Sequence, residues 1–500
     1  MTWLRSSVRS ACLLVTFVGC ALPLLAWPAG DGERHVSGSA ASLAETMQLK
    51  KLLDTAPLGP VATYQRLGLH TGSAVQDFYT QRQYQPVWTQ AAGWNSSATA
   101  ALSFLSTAAE YGLNRETYGW SQLRALPDSL TLRSADAERA HQLASFELRL
   151  TDALLRYTQH LHQGRLRPGT LAPTDQDSLA TRRAVGRLLQ ALGSQDLAAS
   201  LLHEQPQSRM YVQLQRTWSR MLRASPADSL RLMSGEQTEF RRVAINLERL
   251  RWEAAADSEY VLVNIPAYRL QVIKRGQVLQ THRVIVGKPV TPTPLIDSRI
   301  IVFVTAPEWR VPYSIAVNEM LPELQRDPSY LADNNYRLYN YKNQPVNPWR
   351  VRWSKVTPET FSYSIRQMSG RHNALGGVVF YFPNDHTVFL HDTPARSAFT
   401  QTERALSHGC VRVEKPWQLA SYLLRRDGNE AALKPALTGP DRSLRRRFDL
   451  RTGLPIHIRY YTCEAENGKL VLYKDIYQQD ACLREAFFTK DSTPDQTAMK

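Results

Sequence analysis

The sequence predicts a multidomain α+β protein: an all-helical N-terminal scaffold, then a mostly β domain carrying an inserted subdomain. Three observations predict it. From about Leu49 to Trp252, apolar residues recur at three- and four-residue steps between Pro and Gly punctuation, the period of amphipathic helices. At Asp257 the period switches to two, as expected for half-buried strands. Between 307 and 359 the strand rhythm breaks around Trp309, Pro312, Pro322, Pro328, Pro345 and Trp349, which reads as an insertion able to act as a lid. At 500 residues the chain exceeds one compact domain.

The elements follow in order. Arg5 and Arg9 precede an apolar run from Ala11 to Ala26, so residues 1–29 read as a secretory signal cleaved near Ala26 or Ala29. Left uncleaved, the same run would be an inner-membrane anchor. Phe17-Val18-Gly19 before Cys20 is a poor lipoprotein site, and no later segment is long and apolar enough to span a bilayer. Residues 30–47 are small and polar and read as a linker. The helical domain occupies 48–252, with helices over Ala98–Tyr111, Ala135–Gln163, Leu179–Leu202 and Thr238–Trp252. The β domain occupies 257–480, its insertion 307–359, and 481–500 is left as a C-terminal tail. Its strands are expected at Tyr260–Ile265, Leu270–Ile273, Val278–Val286, Ile300–Val304, Phe361–Gln367, Val378–Phe382, Thr387–His391, Ile456–Thr462 and Leu470–Tyr473. Turns fall at Arg275-Gly276 and Asn467-Gly468, and Lys415–Arg426 reads as a helix.

The formal charge of +15 would suggest nucleic acid for an intracellular protein. The export signal and the lack of any nucleic-acid motif point instead to anionic wall polymers or lipid headgroups. Of five cysteines, Cys12 and Cys20 lie in the signal. Cys410, Cys463 and Cys482 remain, an odd number, so at least one thiol is unpaired. Cys463 and Cys482 either pair in the oxidising space or stay as separate thiols.

Chemistry concentrates in His391-Asp392-Thr393-Pro394 and Ser407-His408-Gly409-Cys410-Val411-Arg412. A thiol becomes a nucleophile when a base or a cation lowers its pKa, and two histidines and an arginine stand close in sequence. Gly409 allows a substrate carbonyl to approach the backbone, where amides can hold an oxyanion. The bland alternatives are a buried core thiol, structural histidines, an Arg412–Glu414 pair, or zinc on His391, His408 and Cys410. Zinc lacks a fourth ligand at familiar spacing.

This stretch resembles the signature of the L,D-transpeptidase (YkuD-like) catalytic domain: a His, about fifteen residues, then Ser/Thr-His-Gly-Cys, a hydrophobic residue and Arg. Residues 392–406 supply the fifteen. Val263-Asn264-Ile265-Pro266-Ala267-Tyr268, Val284-Ile285-Val286-Gly287-Lys288-Pro289, Pro292-Thr293-Pro294, Asn373-Ala374-Leu375-Gly376 and Phe382-Pro383-Asn384 extend the likeness to the large Gram-negative members. The region around Trp309–Trp349 resembles their capping subdomain; Phe78–Trp88 and Thr151–Leu171 resemble their helical scaffold. One departure stands out: Arg223–Glu236 leaves no room for the peptidoglycan-binding domain such members often carry.

The resemblance implies a periplasmic enzyme that needs no metal or cofactor and links third residues of stem peptides. Cys410 would attack a tetrapeptide donor, release D-alanine and hold a thioester; the amine of a diamino acid on a second stem would then accept the acyl group. The family pattern favours His391 over His408 as the base, with His408, Gly409 and Cys410 amides as the oxyanion hole. Ser407 and His408 would shape the loop, and Arg412 would hold the loop or a substrate carboxylate. A carbapenem adduct is expected at Cys410, and other wall enzymes are candidate partners. The rivals are an L,D-carboxypeptidase giving the same thioester to water, transfer to an outer-membrane lipoprotein lysine, and a non-catalytic wall-binding scaffold.

Overall fold

A computed structural model describes residues 40–90, 93–129, 136–175, 177–224, 238–253, 257–434 and 444–488. The apolar N-terminal run with Cys12 and Cys20, and most of the Arg223–Glu236 connection, lie outside them. Among the described residues no helix is long and apolar enough to cross a membrane.

The scaffold is organised by the helix Asp136–Gln163, against which Ala40–Leu53, Gly72–Gln81, Ser96–Ser106 and Ser178–Leu192 pack. Phe78, Tyr79, Trp88, Leu105 and Tyr157 are fully buried in its core. At mid-helix the buried Glu147 accepts the backbone N–H groups of Val87, Trp88 and Thr89 at 3.0, 2.6 and 2.7 Å. That carboxylate holds three successive amides in an extended segment, two of them on β-branched residues. The domain is therefore not wholly helical: Thr89–Gln90 pairs with Gly93–Trp94 as a short antiparallel ladder.

Two boundaries change. The expected linker to residue 47 is already helix from Ala40, because its Ala, Leu, Glu and Met residues are good helix formers. The described part of the expected tail belongs to the helix Gln479–Phe488, whose Leu483 and Phe487 enter the scaffold core; residues 489–500 lie outside the described residues. Asp480 at its start pairs with Arg249 at 2.6 Å. Helices Arg209–Ala224 and Thr238–Arg251 share a third core with Tyr260, Leu262, Ile273, Tyr461 and Cys463, joining the two halves. Cys463 is buried, Cys482 is exposed, and the two are not bonded.

In the β domain we label β1 Glu259–Asn264, β2 Arg269–Lys274, β3 Gln277–Gly287, β4 Ile296–Thr305, β5 Val378–Tyr381, β6 Leu390–His391, β7 Ala405–Ser407, β8 Val411–Val413 and β9 Arg446–Arg459. Pairing runs β1–β2–β3–β8–β6–β5–β4–β9 and back to β1, a closed eight-stranded ring that leaves no edge within it. The β6–β8 and β9–β1 pairs are parallel, and β7 joins β3 outside the ring, also in parallel. Val263, Leu270, Val284, Val286, Phe303, Phe380 and Val411 fill the core, with helix Pro416–Arg426 contributing Leu419 and Leu423.

Three strand expectations are revised. The strand over Thr387–His391 shrinks to Leu390–His391, since Thr387 turns to a positive φ of 53°. The strand over Ile456–Thr462 is the end of the 14-residue β9, and the Asn467-Gly468 turn joins Cys463–Glu466 to Lys469–Leu472 instead. Ser364–Gln367 belongs to the insertion, between Trp309–Arg310 and Tyr336–Tyr339 in a four-stranded sheet edged by Pro345–Val346. Phe361 and Ile365 complete the insertion's own core with Met320, Leu324, Leu331, Leu338 and Trp353, so it extends past residue 359. Asn373 fastens its two ends, donating to the carbonyls of Pro307, Gln367 and Met368 at 3.0–3.2 Å.

Candidate active site

The parallel β6–β8 pair aligns His391 with Arg412 and Leu390 with Val411, so Cys410 enters the sheet beside the strand that carries His391. Val411 and Val413 point into the core and fix the opposite face for Cys410 and Arg412. The spacing of fifteen residues is thus the length of chain that leaves β6, makes the turn Arg396–Thr400 and enters β7, from which Ser407 leads through His408, Gly409 and Cys410 into β8.

His391 is buried, and its Nδ1 lies 2.5 Å from the carbonyl oxygen of Asp392. A carbonyl only accepts, so Nδ1 carries the proton and Nε2 keeps its lone pair. Burial, with help from the Arg412 charge, pushes the imidazole down to about 3; the Asp392 bond opposes this. Cys410 is half-buried. Burial raises its thiol above the ordinary value, opposed by the Phe389 backbone and the Arg412 charge. At rest both groups are therefore neutral near pH 7, and the Sγ–H points to the Thr387 carbonyl at 3.9 Å. Arg412 is partly buried, its Nε has no hydrogen-bond partner, and it forms no ion pair among the described residues. The Arg412–Glu414 pair weighed from the sequence does not form.

The Cys loop is fixed from beneath. Ser407 Oγ donates to the Cys410 carbonyl at 2.5 Å and accepts from the Gly409 amide at 3.2 Å. Gly409 has φ +116°, a backbone region that side-chain-bearing residues avoid. In this arrangement its amide is engaged by Ser407. The His408 and Cys410 amides have no acceptor among the described residues. Thr293 Oγ1 donates to the Gly409 carbonyl at 2.8 Å and accepts from the Gly287 amide at 2.9 Å. Tyr477 OH closes this set, donating to the Gly287 carbonyl at 2.7 Å and accepting from the Thr293 amide at 3.1 Å. The sequence singled out Pro292-Thr293-Pro294 only as a likeness; a hydroxyl between two prolines was the signal of a rigid support.

His408 sits apart from this machinery. It is partly exposed, and its Nε2 lies 2.6 Å from Glu319 of the insertion. His391, Cys410, Arg412 and Ser407 are brought together; His408 faces the insertion. Among the described residues no group of three His, Cys, Asp or Glu side chains could hold a metal ion.

A half-buried thiol, a neutral imidazole with a free nitrogen and two unengaged amides form the chemistry of a cysteine acyl-transfer site. Residues 258–442 match the L,D-transpeptidase catalytic domain and residues 73–217 match the scaffold domain. The two matches stand in the order scaffold domain, then L,D-transpeptidase catalytic domain. A "Putative L,D-transpeptidase" of Haemophilus influenzae is 34% identical over 247 residues, covering 49% of this chain and half the length of that protein. Two solved structures, the Ldtfm–avibactam carbamoyl enzyme and the L,D-transpeptidase from Mycobacterium smegmatis, are 12% and 14% identical. They cover 42% and 40% of this chain and 51% and 58% of theirs; at TM-scores of 0.19 and 0.18 they add no weight.

Proposed function

We propose that the protein is a periplasmic transpeptidase that cross-links peptidoglycan through a thioester on Cys410. The observation that carries this reading is the His391–Cys410 arrangement across β6 and β8, with Nδ1 occupied by the Asp392 carbonyl and Nε2 left as the base. As a tetrapeptide stem fills the site, the Cys410 proton passes to His391 Nε2. The sulfur attacks the carbonyl of the third residue, and the His408 and Cys410 amides receive the oxyanion. The C–N bond to D-alanine breaks, its nitrogen taking the proton from Nε2, and the acyl group remains on Sγ. The amine of a diamino acid on a second stem then attacks the thioester carbonyl, giving a proton to Nε2; the C–N bond forms, the C–S bond breaks and Cys410 leaves as thiolate. Nε2 returns that proton to sulfur.

Transfer to an amine is favoured over hydrolysis by Glu319, a carboxylate of the insertion held at the Cys loop, where it attracts a cationic acceptor. The insertion serves as a cap over the acceptor side. We assign export to residues 1–29. A carbapenem would acylate the same sulfur.

The test is purified protein with disaccharide-tetrapeptide, read by mass. Dimer and free D-alanine are expected from the wild type and neither from Cys410→Ala. Tripeptide monomer alone would make the protein a carboxypeptidase, and products retained by Cys410→Ala would sink the reading.

A further inference from the structure

The cap is electrically polarised. Residues 311–335 hold Glu319, Glu323, Asp327 and Asp333 against Arg326. Residues 336–372 hold Arg337, Lys342, Arg350, Arg352, Lys355, Arg366 and Arg371 against Glu359 alone. The acidic half meets the Cys loop at Glu319–His408. In the basic half, Arg366 is committed to Glu308 and to the Tyr339 ring. Arg337, Lys342, Arg350, Arg352, Lys355 and Arg371 are exposed and form no ion pair among the described residues.

A second observation marks the same subdomain. Tyr313, Tyr341 and Trp349 are the largely exposed aromatic side chains among the described residues, and all three lie in the cap. Tyr341 is 81% and Trp349 65% exposed, while Trp353, four residues on, is buried in the cap core. Trp349 is held in this position: its 3₁₀ turn Pro348–Arg350 is capped by Asn347, whose side chain accepts the Trp349 amide at 3.0 Å. Lys342 lies over the Tyr341 ring at 5.6 Å. Exposed aromatic faces beside unpaired cations suit a polymer with apolar ring faces and regularly spaced carboxylates.

We propose that the basic half of the cap is a docking surface for the peptidoglycan strand, with Trp349 and Tyr341 against sugar rings and Arg350, Arg352 and Lys355 against stem-peptide carboxylates. The identity of the polymer rests on the proposed function; the surface itself does not. It would supply, within the cap, a wall attachment for the chain.

The test is co-sedimentation of the full chain with purified sacculi at low and high salt. A triple variant, Arg350→Glu/Arg352→Glu/Lys355→Glu, is compared with an equal charge change on the scaffold, Lys50→Glu/Lys51→Glu/Arg66→Glu. The cap triple is expected to lower binding about tenfold at low salt, with the difference shrinking as salt rises. The scaffold triple should bind nearly as wild type, and Trp349→Ala should weaken binding even at high salt. Unfolding midpoints of all variants check that they fold. Equal loss in both triples, or no loss in the cap triple, overturns the proposal. Binding to phosphatidylglycerol vesicles without binding to sacculi overturns it in favour of a lipid surface. Turnover of soluble disaccharide-tetrapeptide by the cap triple separates the two readings. Wild-type failure there would sink the proposed function and leave the binding comparison intact.

Discussion

Two buried histidines, each beside an arginine, stand in different halves of the molecule. In the scaffold, His160 is bonded at both ring nitrogens: Tyr118 OH at Nδ1, 3.0 Å, and Asp175 at Nε2, 2.8 Å. Its neighbour Arg156 is equally committed, to both Asp175 oxygens at 3.1–3.2 Å and to the Thr117 carbonyl at 2.9 Å. In the barrel, His391 has one nitrogen engaged and Arg412 forms no ion pair among the described residues. Burial lowers the pKa of both histidines, so depressed basicity does not distinguish them. The difference is completion. A satisfied buried network rigidifies a core, whereas a buried imidazole with one nitrogen unengaged can still accept a proton there. Asp175 is held well below the usual carboxylate range by His160 and Arg156 despite its own burial, and no such carboxylate neutralises Arg412.

The comparison breaks most sharply under one substitution made twice. His391→Gln should lower Cys410 acylation about a thousandfold, the scale of a lost general base, while moving the unfolding midpoint little. His160→Gln should do the reverse. Turnover should stay near wild type, while disturbing the bonds to Tyr118 and Asp175 should cost roughly 1–3 kcal/mol of stability. Carbapenem acylation followed by intact mass, alongside denaturant unfolding, reads both. A His160→Gln protein that is stable but inactive would erase the distinction.

A second substitution sharpens the contrast between a group that reacts and one that only supports. Thr293 touches neither His391 nor sulfur but holds the Gly409 carbonyl and the Gly287 amide. Thr293→Val keeps the shape and removes the hydroxyl, leaving two buried backbone groups unpaired, at a cost of roughly 1–3 kcal/mol. Because the Cys loop loses its floor, acylation should slow about tenfold, between the effects of the two histidine changes. Thr293→Ser should restore both. Failure of serine to rescue would show that the methyl group, and hence packing, is what matters there.

Much of this was legible beforehand, for identifiable reasons. The switch from period three-and-four to period two located the barrel, and the His391 and Arg412 of the motif stand side by side in one parallel strand pair. What escaped was non-local. Nothing in the Ser364–Gln367 pattern distinguishes a partner in the barrel from one in the cap, since both offer an apolar face. The tail helix Gln479–Phe488 is short, and its burial depends on a scaffold surface more than 300 residues earlier, as the Arg165 bond to Phe487 illustrates. The engagement of the Gly409 amide by Ser407 depends on a loop geometry that no spacing reports. The Glu319–His408 contact joins residues of two subdomains, and neither residue type is informative alone.

The smallest expected effect concerns the resting charge state. Burial raises the Cys410 thiol above its ordinary value, with Arg412 opposing, and depresses His391 to about 3. Cys410 should therefore be almost entirely thiol at neutral pH, and His391 neutral throughout the range in which the fold is handled. Alkylation of Cys410 by a small neutral reagent should rise about tenfold per pH unit from neutrality to above pH 9, without an acid plateau near pH 6. The sign follows from the reacting form: thiolate attacks, and each unit of pH below the thiol's pKa removes nine-tenths of it. Arg412→Gln takes away the nearest cation, so the inflection should move further up and the rate at pH 8 should fall a few-fold. Arg156→Gln, in the completed scaffold network, should leave that profile unchanged. A plateau below pH 7 would instead mean that thiolate and imidazolium already coexist at rest, and that the vacant nitrogen of His391 is filled before substrate arrives.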